Sequence, residues 1–181
     1  MLIANQKKKE NIAEYLLYMW QVEDTIRANK MDIDLIQKNI IDHYDQPEEV
    51  KREMREWYEN LIEMMRIEQL QQGGHLQINK NVIIELTDLH QRLLKSSKEP
   101  FYTAAFYKTL PYIVELRSKM GEEKAGELET CFLALYGVLM LRLQQKPVSE
   151  ETMNAVRQIS TFLAILAEKY NMEKSGELEL E

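Results

Sequence analysis

The sequence predicts an all-α protein, a single-domain antiparallel bundle of about six or seven helices around a central apolar helix. Six glycines and four prolines among 181 residues are about half the usual share of these turn-forming residues. Long regular elements must therefore make up most of the chain. The apolar residues recur three and four positions apart, which is the spacing of one helix face. A length of 181 residues suits one domain with a sizeable core.

Seven helices follow from this spacing and from the residues that start and end helices. The predicted helices are residues 6–29, 33–44, a third from about Pro47 to Gly73, 77–96, a fifth from Pro100, 122–145, and a seventh from Ser149 to about Tyr170. After that point the chain is polar, and such a composition buries little apolar surface. We therefore expect a bundle domain over 1–170 and a flexible tail over 171–181.

The first three helices are predicted from their apolar stripes, and the second and third also have a start signal. Ile12, Leu16 and Met19 share one face of the first helix. Asp32 precedes the second helix and is a candidate N-cap, since its carboxylate can accept from the first free backbone N–H groups. Pro47 suits the first turn of the third helix, because proline lacks the N–H that would have no partner there.

The later helices differ in how much apolar surface they carry. The fourth repeats the one-sided stripe and ends before Pro100. The fifth is rich in aromatic residues, and Pro111 inside it predicts a kink or break near 108–111 because proline removes a backbone donor. The sixth is apolar on all sides from Cys131 to Leu141, which is typical of a helix surrounded by others. The seventh again has a single stripe.

Charge and cysteine content exclude several classes of function. The net charge of −7 repels phosphate backbones, so we expect no nucleic-acid partner. The single cysteine, Cys131, rules out an intramolecular disulfide framework and suits the cytoplasm. No apolar stretch reaches the ~20 residues needed to cross a bilayer, and we expect no membrane association. The sequence has no Glu-x-x-His pair, glycine-rich phosphate loop or Gly-x-Ser-x-Gly motif, so it predicts no metal and no cofactor.

The opening of the chain carries a family resemblance. Residues 2–6 (LIANQ) are followed by three lysines and then by residues 12–20 (IAEYLLYMW). This opening resembles a bacterial family of small, uncharacterised all-helical proteins that is catalogued as a domain of unknown function. The resemblance implies a bacterial origin, and it carries no activity or site residues with it.

A few polar residues lie at core-facing positions. Glu23 falls in the middle of the apolar stripe of the first helix, and Arg27, four residues later, is placed to form an ion pair with it. Glu68, His75 and Arg142 also continue apolar stripes. One interpretation is that each side chain leaves the bundle at a helix end and meets water. The other is that they converge in a crevice able to do acid/base chemistry or bind a small ligand.

Two functional hypotheses remain open on the sequence alone. The leading one is a non-enzymatic protein-interaction or structural module that forms a homodimer through apolar side chains outside the main stripes. These are Phe162 and Ile165 on the seventh helix, and Phe101, Tyr102 and Tyr107 on the fifth. The alternative is an enzyme or small-ligand-binding protein that uses Glu23, Arg27, Glu68 and His75.

Overall fold

Eight α-helices and no strand occur in the residues that the computed structural model describes, 2–122 and 124–180. The helices are α1 (Leu2–Glu10), α2 (Ile12–Ala28), α3 (Ile33–Asn39), α4 (Glu48–Ile67), α5 (Gln77–Lys95), α6 (Pro100–Met120), α7 (Glu127–Leu143) and α8 (Glu150–Ser175). A short 3-10 helix, Ile41–His43, follows α3. The all-α prediction is confirmed. None of these helices is long and apolar enough to span a membrane.

The first predicted helix, 6–29, is in fact two helices. The chain breaks at Asn11, whose side-chain oxygen accepts hydrogen bonds from the backbone N–H groups of Ala13 and Glu14 at 3.0 and 3.2 Å. Asparagine is a favoured N-cap because it satisfies N–H groups that lack a partner inside the helix. Helix α2 therefore starts at Ile12 with its own cap.

Of the kink or break predicted near 108–111, the break is wrong, since α6 runs without interruption from Pro100 to Met120. Pro111 lies on the exposed side of the helix. The Tyr107 carbonyl, which would normally accept from the N–H at position 111, can be hydrated there. An exposed proline therefore costs this helix one hydrogen bond without ending it.

The last helix is longer than the sequence predicts. Helix α8 continues past Tyr170 to Ser175 and ends at Gly176, whose φ of 78° is the left-handed geometry that favours glycine after a helix. Leu178 and Leu180, which are themselves partly buried, then pack against a cluster of buried apolar side chains. Because the residues after 170 are mostly polar, the sequence predicts neither the last turn of this helix nor these two apolar contacts.

The apolar side chains form two clusters. The large core joins the first half of α2 to α5, α6, α7 and α8. The small core joins the second half of α2 to α1, α3 and α4. Leu16 and Trp20 of α2 belong to the large core, whereas Met19 and Ile26 belong to the small one. Helix α2 is thus the element that the two cores share.

The apolar helix α7 contacts α2, α5, α6 and α8, in line with the prediction of a central helix. Near the start of α7, the apolar side chains Leu128 and Phe132 are buried. Farther along, Leu133 and Met140 are half-buried and Leu143 is exposed. The second half of α7 flanks an apolar groove of about 370 Å³.

Candidate functional site

Two of the predicted carboxylates meet at the start of α5. Leu76 is the N-cap residue there and has no side chain that can cap, so the first N–H groups of the helix need other acceptors. Glu23 Oε1 accepts from the Leu76 N–H at 2.9 Å, and Glu68 Oε2 accepts from the Gln77 N–H at 2.8 Å. Negative charge is favourable at a helix start. The two acids therefore cap α5 from α2 and from the end of α4.

Glu23 is fully buried and has three hydrogen-bond donors around it. Besides the Leu76 N–H, its carboxylate accepts from Nδ2 of Asn79 at 2.6 Å and from Nδ1 of His75 at 2.7 Å. A buried carboxylate is tolerated only when its oxygens are hydrogen-bonded. Here both oxygens are satisfied, and the bond to Nδ1 fixes the orientation of the histidine ring.

His75 also packs face to face on Trp20, with ring centroids 4.1 Å apart and an interplanar angle of 13°. About 30% of the His75 side chain is exposed, against 1% of the Glu23 side chain. Beyond Trp20, the Tyr136 hydroxyl donates to Asp24 at 2.5 Å. Burial, reinforced by that bond, raises the pKa of Tyr136. The cluster thus presents one partly exposed imidazole above a buried, hydrogen-bonded acid.

Arg27 does not pair with Glu23, so that prediction is wrong. Its Nη1 instead forms an ion pair with Asp24 at 2.7 Å. Its Nε donates to the Leu70 carbonyl at 2.9 Å, and its Nη2 donates to the Gly74 carbonyl. The Glu23 side chain points toward the start of α5, where three N–H groups donate hydrogen bonds to it. Arg27 points along the loop between α4 and α5 and ties that loop to α2.

A second arginine makes the reciprocal connection. Nη2 of Arg66, near the end of α4, donates to the Met31 carbonyl in the turn after α2 at 3.1 Å. Between the two arginines lies an open cleft of about 670 Å³. The cleft is lined by Arg27, Lys30, Met31, Arg66, Gln71 and Gln72. Arg27 of α2 therefore holds the loop after α4, and Arg66 of α4 holds the turn after α2.

The structure places Arg142 apart from this cluster. Arg142 is exposed near the end of α7, and its Nη2 lies 3.5 Å from the Met153 sulfur. Of the polar residues singled out from the sequence, Glu23, Glu68 and His75 are thus brought together at the start of α5. Arg27 lies beside them and faces the cleft.

The predicted apolar surface residues divide into two groups. Phe162 and Tyr102 are buried in the large core, with ring centroids 5.6 Å apart, so neither offers a surface for association. They are buried because α6 and α8 pack tightly against each other. Ile165 is half-buried, whereas Phe101 and Tyr107 are exposed.

Some members of the cluster could not be named from the sequence. Asn79 lies three residues before Val82 on the buried face of α5, so a polar residue in an apolar stripe was a usable signal for it. The Asp24–Tyr136 hydrogen bond joins residues 112 positions apart, and no local pattern indicates it. The stacking of His75 on Trp20 likewise depends on how α2 and α5 are rotated toward each other.

The chemistry available in this region is that of an imidazole, a phenol and several cations. No group of side chains suited to a metal ion occurs in the described part of the chain. Burial raises the pKa of the Cys131 thiol, which suppresses the thiolate that a nucleophile would need. Proton transfer at His75 and anion binding in the cleft remain chemically reasonable.

Fold and site together define a small all-helical protein with a polar junction between two cores, a class that does not by itself carry an activity. The chain matches the family described as a domain of unknown function (DUF4924) over residues 1–177, and it belongs to that family. No curated protein and no solved structure matches the chain.

Proposed function

We propose that this protein is a non-enzymatic interaction module of the cytoplasm that forms a homodimer through the outer face of α6. One observation carries the proposal. Apart from one lysine, the exposed residues along this face between 100 and 114 are uncharged: Pro100, Phe101, Ala104, Tyr107, Lys108, Pro111 and Val114. Phe101 is 89% exposed, Tyr107 61% and Val114 52%. Contiguous apolar surface of this kind is typical of association sites.

The spacing of this face suits a second helix. Residues 100, 104, 107, 111 and 114 follow one another at alternating steps of four and three, which is the repeat that keeps one seam of a helix against a partner helix. Single exposed apolar residues need no explanation, but a seam maintained over four turns does. The outer face of α6 therefore has the pattern of a packing surface.

A second copy of the chain fits this seam. If two α6 helices pair antiparallel about a point between Tyr107 and Lys108, Phe101 lies opposite Val114 and Ala104 lies opposite Pro111. The same symmetry places each lysine beside the tyrosine of the other copy, where a cation–π contact can form. A two-fold interface requires self-complementarity of this kind.

Sedimentation equilibrium at micromolar concentration tests the dimer. Tyr107→Glu should weaken association at least about tenfold, because it would bury a carboxylate in an apolar seam. Ile84→Glu is the matched control, since Ile84 is equally exposed at 61% but lies on a polar face of α5. A wild-type protein that stays monomeric, or equal losses in both variants, would contradict the proposal.

The cytoplasmic assignment is supported by cysteine usage. Cys131 is the single cysteine of the chain, and it is buried and unpaired. The core therefore needs no oxidising compartment for its stability.

The second candidate function is acid/base chemistry at His75. Its support is the buried Glu23 carboxylate, which holds Nδ1 of His75 at 2.7 Å and leaves an edge of the ring partly exposed. A positioned imidazole of this kind can accept a proton. Hydrolysis of p-nitrophenyl acetate should then be slower in His75→Gln than in the wild type at neutral pH. Equal rates would remove this candidate.

A further inference from the structure

We propose that the cleft between the turn after α2 and the loop after α4 binds a small anion bearing phosphate or carboxylate groups. The ligand would be held by Lys30 and Arg66, with Arg27 at the back of the site. This site is separate from the outer face of α6 and does not depend on dimer formation.

The charge of the cleft is the first argument. All three charged side chains that line it are cations, Arg27, Lys30 and Arg66, in a chain whose net charge is −7. The ends of α2 and α4 each contribute only about half a unit of negative charge. Asp24 pairs with Arg27 but is itself half-exposed. The side chains that line the cleft are thus basic in a chain that is acidic overall, and such a lining favours anions.

The donors are also held in place before any ligand arrives. Arg66 uses Nη2 on the Met31 carbonyl, and a neutral carbonyl fixes the guanidinium without cancelling its charge. Within residues 2–122 and 124–180, Nε and Nη1 of Arg66 and the Lys30 ammonium have no hydrogen-bond acceptor. A planar guanidinium with free N–H groups binds oxyanions with two parallel hydrogen bonds. The amides of Gln71 and Gln72 also line the cleft and add neutral donors.

The backbone at Lys30 gives a third argument. Lys30 has a φ of 56°, and its N–H bonds to the Arg27 carbonyl while the Met31 N–H bonds to the Ile26 carbonyl, both at 2.9 Å. This is a helix-ending motif in which glycine is the usual residue at the left-handed position. Met31 is left-handed as well. A lysine in this position carries backbone strain, and it places a cation at the cleft in return.

Calorimetric titration with three probes tests the site and separates the two ligand chemistries. The probes are inorganic phosphate, pyrophosphate and citrate, titrated at constant ionic strength into the full chain. We expect saturable binding of at least one probe. Binding of phosphate and pyrophosphate but not citrate would identify a phosphate site, and the reverse would identify a carboxylate site. Arg66→Gln should weaken the binding at least tenfold.

The matched control for charge is Arg157→Gln, because Arg157 is an exposed arginine on α8, away from the cleft. It should bind the probe as the wild type does. No saturable binding of any probe, or an equal loss in Arg66→Gln and Arg157→Gln, would overturn the proposal.

The Lys30→Gly variant distinguishes a loss of ligand binding caused by removing the lysine from one caused by misfolding. Glycine relieves the left-handed strain, so this variant should melt at a higher temperature than the wild type while it binds the probe more weakly. Gln145, with a φ of 56°, occupies the equivalent position after α7. Gln145→Gly should raise the melting temperature and leave binding unchanged. Unchanged binding in Lys30→Gly would contradict a role for the lysine.

Discussion

The two cores of this molecule are built differently. The large core is formed by long helices and contains a set of aromatic rings in mutual contact, His90, Tyr102, Phe106 and Phe162. The small core includes the seven-residue helix α3 and a 3-10 turn. Its buried side chains include four methionines, which pack adaptably but define a structure less sharply than rings do. We infer that the small core is the less stable of the two.

Polar contacts connect the small core to the rest of the protein. Glu23 and Glu68 cap α5, while Arg27 and Arg66 hold the loops. Regions with short helices and polar attachments open more readily than a continuous apolar core. A ligand site at this junction would therefore sit where a modest interaction changes local stability most.

The largest expected effects come from truncating one residue in each core. Phe162→Ala should lower the free energy of unfolding by about 4 kcal/mol, and Met65→Ala by about 3 kcal/mol. Both residues are almost fully buried. Amide hydrogen exchange distinguishes the two cores: Phe162→Ala should deprotect α5 to α8, whereas Met65→Ala should deprotect α3 and α4 first. Uniform deprotection in both variants would show that the two cores unfold as one unit.

The second largest effect on stability is expected at the polar junction between the two cores. Glu23→Gln places an amide NH₂ among three donors and removes the charge that caps α5, so we expect a loss of about 2–3 kcal/mol in unfolding free energy. Urea denaturation measures it. Glu129→Gln is the control, because Glu129 is exposed on α7, and it should change stability by less than about 0.5 kcal/mol. Similar values for the two variants would contradict a structural role for Glu23.

Helical periodicity explains how much of the fold and of the candidate site could be predicted from the sequence. The spacing of apolar residues shows which face of each helix is buried, and it therefore marked Glu23 and His75 as polar residues facing inward. It does not show how one helix is rotated against another. For that reason the ion pair expected between Glu23 and Arg27 is replaced by bonds to α5 and to Asp24. The basic cleft depends on two loops whose paths have no periodic signal.

The local sequence also predicts burial incorrectly where a side chain can be covered by more than one neighbouring helix. Phe162 lies away from the main stripe of α8 and was expected on the surface, but the aromatic residues of α6 cover it. The second half of α7 has the composition of a surrounded helix and is nevertheless partly uncovered. Burial of such residues depends on the positions of neighbouring helices, which composition alone does not give.

The smallest effect is a pH dependence that belongs to the large core. His90 is buried, and its Nδ1 is hydrogen-bonded to the Tyr102 hydroxyl at 2.6 Å. Burial lowers the pKa of His90, and the negative charge of Glu127 offsets this only in part. The unfolded chain then takes up a proton near pH 6.5, while the native protein takes it up only at lower pH. Stability due to His90 is therefore fully present above pH 6.5 and falls as the pH decreases below it.

Urea unfolding at pH 7.5 and pH 5.5 measures this contribution. Each unit by which the native pKa lies below the unfolded one is worth about 1.4 kcal/mol at the lower pH limit. The His90→Gln variant keeps a polar side chain near Tyr102 but does not titrate, so it should lose less stability than the wild type between the two pH values. If both proteins lose the same amount, the large core is insensitive to acid, and groups outside it account for the pH dependence.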